Sequence, residues 1–205
     1  MDQRTPEWFQ IRAGKVTASR IGDLMATTKT GYSASRANYM AQLVCERLTG
    51  LPQESYSNAA MQRGTDQEPI ARAEYEALRG VFVDEMGFAI HPTIENAGAS
   101  PDGLVGEDGL IEIKCPNTAT HIETLLSGEP DGKYVKQMMW QMACTGRSWC
   151  DFVSFDPRMP ENLRLFIKRI QRDYKLIAEI EGEVRKFLAE LEEKVQKLKG
   201  INHAH

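Results

Sequence analysis

The stretch SPDGLVGEDGLIEIKCP, residues 100–116, contains two short apolar runs separated by a glycine-rich segment. The runs are residues 104–105 and 110–115, and Gly-Glu-Asp-Gly between them is a turn signal. This arrangement predicts a β-hairpin. Helical patterns precede and follow it, so the chain is expected to be α/β with a central sheet.

Polar and apolar side chains alternate along the second predicted strand. Glu112 and Lys114 are two positions apart and emerge on one face, while Ile111 and Ile113 emerge on the other. Asp102 precedes the first strand, so the hairpin can bring it close to Glu112. The stretch therefore predicts two carboxylates and an ammonium on rigid backbone.

The three polar residues form the pattern Pro-Asp-x9-Glu-x-Lys. Oxygen-only ligands suit Mg²⁺ rather than zinc, and a cation would relieve the repulsion between two carboxylates. A bound Mg²⁺ polarises a phosphoryl oxygen, while the ammonium orients the attacking water or helps to deprotonate it. The pattern thus indicates phosphodiester hydrolysis. The alternative is a solvated surface strand, because the bare spacing also arises by chance.

Composition limits the class of protein. The 205 residues suffice for one large domain or one domain with an appendage. With 41% hydrophobic and 26% charged residues the chain is of ordinary globular type, and it lacks the run of about 18 apolar residues that a membrane span needs. The polar N-terminal segment indicates the cytoplasm. A net charge of −4 argues against indiscriminate coating of nucleic acid.

Cysteine and histidine spacing gives no metal site. The four cysteines include no CxxC pair and are expected to be reduced. Apart from the terminal His-Ala-His, the histidines at positions 91, 121, 203 and 205 have no ligand spacing and are expected on the surface. Trp8 and Trp140 are expected to be packing residues.

Hydrophobic periodicity predicts helices on both sides of the hairpin. Thr17 or Ser19 is expected to cap a short helix over residues 20–25. Further helices are predicted at 36–48, 68–78 (with Pro69 in its first turn), 118–126 and 133–145. Residues 51–60 are predicted to form a connector. Strands are predicted at 81–90, 149–155 and 163–167.

Residues 169–198 are predicted to form one amphipathic C-terminal helix. Apolar residues from Ile170 to Leu198 recur every three or four positions, as a single buried stripe requires. This helix packs either on its own domain or against another subunit, and the pattern leaves both possibilities open.

Several motifs carry a resemblance to a known family. They are EWFQIRAGKVTAS (7–19), RGTDQE (63–68), the SPDGL and LIEIKCP segments, YVKQMMWQMA (134–143) and FDPRM (155–159). In this order they resemble the phage lambda exonuclease family of viral-type recombination nucleases, within the PD-(D/E)xK superfamily. The match covers about residues 6–160.

The chain is expected to form a single nuclease domain, residues 1–205, and the resemblance implies a restriction-endonuclease-like core: a central mixed sheet flanked by helices. It implies a Mg²⁺-dependent exonuclease, with Mn²⁺ as a possible substitute and two ions per site. Such an enzyme degrades one strand of linear double-stranded DNA from the 5′ end to mononucleotides. The family also implies a homotrimeric ring and a single-strand annealing protein as partner in homologous recombination.

The resemblance assigns roles to individual residues. Asp102, Glu112 and the backbone carbonyl of Ile113 match metal ligands, and Lys114 matches the residue that positions the water. Glu68 in RGTDQE matches a further active-site acid and metal ligand. Gln137 matches the glutamine that completes the site, with Gln141 one turn later as the alternative.

Arg12 and Ser19 match the pair that binds the terminal 5′-phosphate in the family. An arginine fork suits phosphate, and Ser19 opens a predicted helix whose N–H groups attract anions. The alternatives are a surface salt bridge for Arg12 and a plain cap for Ser19. Lys29 lies in a loop where the family has a basic residue that reaches into the DNA.

The sequence leaves three rival functions open. A PD-(D/E)xK endonuclease or repair nuclease would keep the chemistry but cut internal sites. A non-catalytic DNA-end-binding module would need none of the chemistry, although Asp102, Glu112 and Lys114 are all present. A protein that acts chiefly by recruiting an annealing partner would keep its function after Lys114→Ala.

Overall fold

The computed structural model describes residues 2–53 and 59–201. The helices are α1 (Pro6–Arg12), α2 (Ile21–Leu24), α3 (Ala34–Thr49), α4 (Ala59–Arg79), α5 (Thr118–Ser127), α6 (Gly132–Thr145) and α7 (Tyr174–Lys199), with a 3-10 helix at Ala18–Arg20. The strands are β1 (Val16–Thr17), β2 (Thr27–Thr28), β3 (Gly31–Tyr32), β4 (Val83–Asp84), β5 (Ala89–Ile90), β6 (Ala97–Ala99), β7 (Gly103–Val105), β8 (Gly109–Lys114), β9 (Trp149–Phe155) and β10 (Leu165–Gln171).

The largest sheet of the described residues has five strands in the order β10-β9-β8-β7-β4. Strands β8 and β9 run parallel, because α5 and α6 form a crossover between them, and the other neighbours are antiparallel. A three-stranded sheet (β1-β6-β5) and the β2–β3 hairpin complete the strands of this part of the chain. The predicted mixed sheet flanked by helices is confirmed.

The sheet separates two hydrophobic clusters. On one side Ile111 and Ile113 of β8 pack with Tyr75 of α4. On the other side Leu110 packs with the buried faces of α6 and α7. This arrangement confirms the predicted alternation along β8, and it directs Glu112 towards α6.

Helix α7 is part of the domain core. Its stripe of buried apolar residues packs with residues of α3 and α6, and consists of Ile177, Ile180, Val184, Phe187, Leu191 and Val195. Of the two possibilities left open by the sequence, packing on its own domain is therefore observed. No described helix is long and apolar enough to span a membrane.

The start of this helix differs from the prediction. Strand β10, predicted at 163–167, runs from Leu165 to Gln171 because all of its residues pair with β9. The helix predicted from residue 169 consequently begins at Tyr174. The Asp173 side chain caps it by accepting the backbone N–H groups of Lys175 and Leu176.

Helix α4 is twice as long as predicted. The helix begins at Ala59, inside the predicted connector, so Pro69 lies in its interior rather than in its first turn. Residues 54–58 of the predicted connector lie outside the described part of the chain. The first half of α4 packs against the end of β8, where Arg63 donates to the carbonyl of Pro116 at 3.3 Å. This tertiary contact retains the helix despite the backbone hydrogen bond lost at proline.

Residues 81–90, predicted as one strand, form β4 and β5 in two different sheets. Strand β4 pairs with β7, and β5 pairs with β6. Between them the carbonyl of Met86 accepts a hydrogen bond from the Gln3 side chain at 2.8 Å. The local composition is that of a strand, but the partner strands decide where it breaks.

His91 and His121 are buried, so the prediction of surface positions is wrong for both. His121 is bonded through Nδ1 to Ser154 Oγ at 2.7 Å, and His91 stacks on Trp140 with 4.8 Å between the ring centroids. Internal partners make burial of an imidazole tolerable. The remaining two histidines lie in the segment 202–205, outside the described residues.

Candidate active site

Asp102 and Glu112 face each other across the β7–β8 hairpin. Gly103 pairs with Ile111, so one further step in the register sets Asp102 opposite Glu112 on the same face. Asp102 Oδ2 accepts the backbone N–H of Ile113 at 2.6 Å. The side chain of Asp102 thus continues the ladder just before β7 begins.

Gly103 allows this approach. A Cβ at this position would lie 2.1 Å from Cγ1 of Val83 on the neighbouring strand β4. Any side chain would push β7 away from β4 and move Asp102 with it. The glycine after the aspartate is therefore a packing requirement of the site.

Glu112 is the centre of a buried hydrogen-bond network. Only 1% of the residue is exposed. Its Oε1 accepts from Lys114 Nζ at 2.5 Å and from Gln137 Nε2 at 2.7 Å, and its Oε2 accepts from Gln141 Nε2 at 2.5 Å. The two glutamines lie one turn apart on α6 and share a face. Both glutamines that the sequence left as alternatives therefore contact the same carboxylate.

The Lys114 ammonium is held in its charged form. Burial lowers the pKa of Lys114, but the negative charges of Glu112 and Asp102 outweigh this and raise the pKa above its usual value. The Tyr134 ring lies 5.1 Å from Nζ. The Lys114 side chain remains 27% exposed, so its ammonium faces the accessible side of the network.

Burial and the neighbouring charge of Glu112 disfavour the ionised form of Asp102. Burial raises the pKa of Asp102 well above its usual value, and the negative charge of Glu112 raises it further, against the opposing charge of Lys114. A cation beside the two carboxylates would reverse this effect.

The available donors fit Mg²⁺. They are oxygen atoms, as a hard cation prefers, and Ile113 lies between Glu112 and Lys114 on β8, where its carbonyl is the predicted further ligand. Within residues 2–53 and 59–201 no three His, Cys, Asp or Glu side chains are arranged to hold a metal. The site is accordingly a carboxylate pair rather than a closed cage, and Mg²⁺ usually keeps several waters in such a site.

Glu68 lies near the carboxylate pair but is directed at arginines. It lines a polar cavity of about 190 Å³ together with Asp102. Its Oε2 accepts from Arg4 at 2.5 Å, and Arg72 lies 3.8 Å from its Oε1. Arg72 also donates to the backbone carbonyl of Asp102 at 3.0 Å, which ties α4 to the hairpin.

Arg12 is connected to the site through Trp8. Its guanidinium lies over the Trp8 ring at 3.6 Å, and Trp8 Nε1 donates to Ser100 Oγ at 2.9 Å, two residues before Asp102. Burial lowers the pKa of Arg12 to about 10. Among the described residues, none accepts a hydrogen bond from its buried Nε. The guanidinium fork of Arg12 is a candidate for binding an anionic ligand.

Ser19 and Lys29 occupy less defined positions. Ser19 is exposed inside the 3-10 helix, and Thr17 is the residue at its N-cap, so the expectation that Ser19 opens a helix is wrong. Lys29 is exposed in the turn of the β2–β3 hairpin. A DNA contact stays a prediction for both residues.

Residue patterns named Gln141 only as the alternative to Gln137, and they did not reveal the other residues that contact the site. Gln141 and Arg72 carry a local signal, since each lies four positions after a predicted site residue on the same helix. Arg4 and Ser100 carry none, because they meet the site only through tertiary contacts.

Comparison with known proteins identifies the family of the chain. The model of the family described as YqaJ-like viral recombinase domain matches residues 7–148. An alkaline exonuclease (LHK-Exo) from Laribacter hongkongensis is 60% identical, covers 95% of this chain and 96% of its own, and has a TM-score of 0.89. The structure of LHK-Exo in complex with dAMP is 61% identical over the same shares, with a TM-score of 0.90.

A phage related exonuclease from Haemophilus somnus 129PT shares the fold, with a TM-score of 0.71 at 17% identity over 90% of this chain and 96% of its own. No curated protein sequence matches the chain. The family model spans well over half of the chain, and a relative with 60% identity spans nearly all of it. The chain therefore belongs to the YqaJ-like viral recombinase family, and its predicted resemblance to lambda exonuclease-like enzymes is confirmed.

Proposed function

We propose that this protein is a Mg²⁺-dependent 5′ to 3′ exonuclease that degrades one strand of linear double-stranded DNA to mononucleotides. The observation that carries the proposal is the buried network in which Lys114, Gln137 and Gln141 hold Glu112 opposite Asp102. Metal-assisted phosphodiester hydrolysis uses oxygen donors that bind the metal and a positively charged group that orients the attacking water.

The residues of the site have different roles in the proposed reaction. Asp102, Glu112, the Ile113 carbonyl and Glu68 are the groups that would hold the ions, two of them in our proposal, and Mn²⁺ would fit the same oxygen donors. The metal, when bound, polarises the phosphoryl oxygen and lowers the pKa of water. Lys114 orients the attacking water through its positive charge, which the neighbouring carboxylates of Glu112 and Asp102 favour by raising its pKa.

Glu68 can act as a metal ligand only if its ion pair with Arg4 is broken. Its carboxylate is now paired with Arg4, whose backbone has the strained φ of 68°. For Glu68 to serve as a metal ligand, the Arg4 side chain, which is nearly half exposed, would have to turn away to solvent or to DNA.

A terminal 5′-phosphate is the anion that we assign to Arg12. The Trp8 and Ser100 contacts connect this guanidinium to the short segment between β6 and β7 that contains Asp102. An enzyme that holds the terminal phosphate near its carboxylate pair hydrolyses the bond next to the 5′ end, which sets the direction of digestion. Ser19 and Lys29 would add contacts to the phosphate and to the duplex.

Two further observations support the proposal. LHK-Exo, named as an alkaline exonuclease, has been solved with dAMP, which is a nucleoside monophosphate of the kind that such digestion releases. The net charge of −4 agrees with a ring that needs positive potential only along its channel. We accordingly propose a homotrimeric ring that works with a single-strand annealing protein in homologous recombination. A DNA substrate and four free cysteines support a cytoplasmic location.

Digestion of matched DNA substrates tests the proposal. Linear duplexes with and without a 5′-phosphate, and a closed circle, are incubated with the protein in Mg²⁺ or EDTA. The expected result is Mg²⁺-dependent loss of the linear 5′-phosphorylated duplex alone, abolished by Lys114→Ala. Lys133→Ala is the matched control, because Lys133 lies on the same Tyr134 ring at 4.9 Å but is paired with Asp131.

The other outcomes separate the rivals. Cutting of the closed circle would establish an endonuclease. Binding of DNA ends without any cutting would establish a non-catalytic end-binding module. Recombination that survives Lys114→Ala would establish a recruiting role instead of a catalytic one.

A further inference from the structure

Gln141 makes a contact that water positioning does not require. Its side chain is completely buried on α6, and its Nε2 donates to Glu112 Oε2 at 2.5 Å. Gln137 and Lys114 bind the other oxygen of the same carboxylate and lie nearer to the accessible side. Gln141 is therefore placed behind Glu112, out of reach of a substrate.

The contacts of Glu112 restrict its carboxylate at both oxygens. Donors to Oε1 alone would leave the group free to rotate about its last C–C bond. The Gln141 donor on Oε2 removes this freedom, and both amides come from consecutive turns of a buried helix. Rigid support of this kind orients a ligand towards a metal.

The amide oxygen of Gln141 indicates which orientation of its side-chain amide the site favours. Within the described part of the chain, Gln141 Oε1 is buried and has no hydrogen-bond partner. An unmet buried acceptor is unfavourable, so the charge-assisted bond from Nε2 to Glu112 must outweigh it. Turning the amide over would set Oε1 against an ionised oxygen of Glu112, which repels it.

We propose that Gln141 is a positioning residue that holds the Glu112 carboxylate in its cation-binding orientation and thereby sets the affinity of the site for a divalent cation. The inference rests on the proposed function, in which Glu112 is a metal ligand. It assigns Gln141 a role separate from that of Gln137, which binds the other oxygen of Glu112.

Gln141→Met tests the inference, because methionine has a similar length but cannot donate a hydrogen bond. Mn²⁺ binding to the full-length protein is measured by electron paramagnetic resonance without DNA. The expected result is binding weaker by about 10-fold to 100-fold, the range typical of residues that support metal ligands. The Mg²⁺ concentration for half-maximal digestion should rise in parallel, while the rate at saturating Mg²⁺ recovers.

Met142→Leu is the matched control. Met142 is equally buried on the same helix but offers no donor to Glu112. It should leave Mn²⁺ binding unchanged, which separates loss of the Glu112 contact from a general loosening of α6. If circular dichroism shows that Gln141→Met does not fold, Gln141→Asn takes its place, because its amide is one methylene too short to reach Glu112.

Two results would overturn the inference. One is Mn²⁺ affinity within about twofold of the wild type, a change too small for a supporting residue. The other is a lowered digestion rate at every Mg²⁺ concentration with unchanged Mn²⁺ affinity, which is the sign of a purely structural residue. Failure of the proposed function looks different, because it would appear in the wild-type protein, which would then either not bind Mn²⁺ and not digest DNA or cut the closed circle.

Discussion

The Asp102 carboxylate accepts the backbone N–H of Ile113 at 2.6 Å, so one side chain both ends the hairpin ladder and forms half of the carboxylate pair. The aspartate has a structural task that an uncharged acceptor could perform and an electrostatic task that it could not. Substitution at this position can therefore separate folding from chemistry.

Asp102→Asn should keep the hydrogen bond to Ile113 and lose the charge. Burial, followed by the charge of Glu112, raises the pKa of Asp102, so its ionised form is unfavourable in the metal-free fold. The variant should therefore have a higher free energy of unfolding in EDTA at neutral pH. Digestion should fall by about 1,000-fold, since a bound metal contributes several kcal/mol. Urea unfolding and a gel assay measure the two effects, and a destabilised, active variant would contradict both expectations.

Protonation of His91 should weaken the fold at acidic pH. Burial lowers the pKa of His91, against the charge of Glu181, and Nδ1 accepts the backbone N–H of Thr93 at 3.2 Å. The imidazole of His91 binds a proton near pH 6.5 in the unfolded chain but only at a lower pH in the folded chain. The free energy of unfolding should therefore decrease as the pH falls below about 6.5. His91→Gln should show a smaller decrease between about pH 7.5 and about pH 5.5 in urea unfolding. An equal decrease in both proteins would exclude His91 as the cause.

Arg12→Ala should remove the preference for phosphorylated ends. A hydrogen bond to a charged group contributes about 1.5–3 kcal/mol, so the rate ratio between 5′-phosphate and 5′-hydroxyl duplexes should fall by about 10-fold to 100-fold. Arg20→Ala is the control, because Arg20 also lies over an aromatic ring, Tyr39, but is paired with Asp23. A ratio unchanged by Arg12→Ala would remove this residue from the phosphate site.

Arg4→Ala should make the metal site easier to fill. Arg4 now pairs with Glu68, and a cation that uses Glu68 competes with it. Because the pair is partly exposed, it is worth at most about 1 kcal/mol, so the half-saturating Mg²⁺ concentration should fall by no more than about fivefold. A Mg²⁺ titration of the digestion rate measures this. A higher requirement for Mg²⁺ would instead indicate that Arg4 assists the bound state.

Phe187→Ala should destabilise the protein through its core. Phe187 is fully buried on α7 and stacks on Tyr39 with 5.5 Å between the ring centroids. Removal of a buried aromatic ring typically costs about 3–5 kcal/mol, which urea unfolding would detect. Tyr174→Ala is the control, because Tyr174 is 74% exposed at the start of the same helix. A small effect at Phe187 would mean that α7 is not required for the core.

Local patterns were sufficient for the carboxylate-bearing hairpin. The turn signal and the alternation from Leu110 to Lys114 predicted β7, β8 and the shared face of Glu112 and Lys114, because these features depend only on near neighbours in the chain. Amphipathic periodicity likewise located α3, α5, α6 and most of α7.

Long-range contacts decided the rest. Residues 81–90 split between two sheets because their partner strands differ, and α4 continues through Pro69 because its first half packs on the end of β8. No spacing in the sequence shows that Arg4 reaches Glu68 or that Trp8 joins Arg12 to Ser100.

The site itself shows the same division. The sequence predicted which residues would carry the proposed chemistry, since Asp102, Glu112 and Lys114 belong to one hairpin with an alternating pattern. Only the tertiary structure decided that α6 packs over β8, so that Gln137 and Gln141 bind the two oxygens of one carboxylate. Such contacts join segments far apart in the chain, and their free energy comes from burial in a shared core rather than from local propensity.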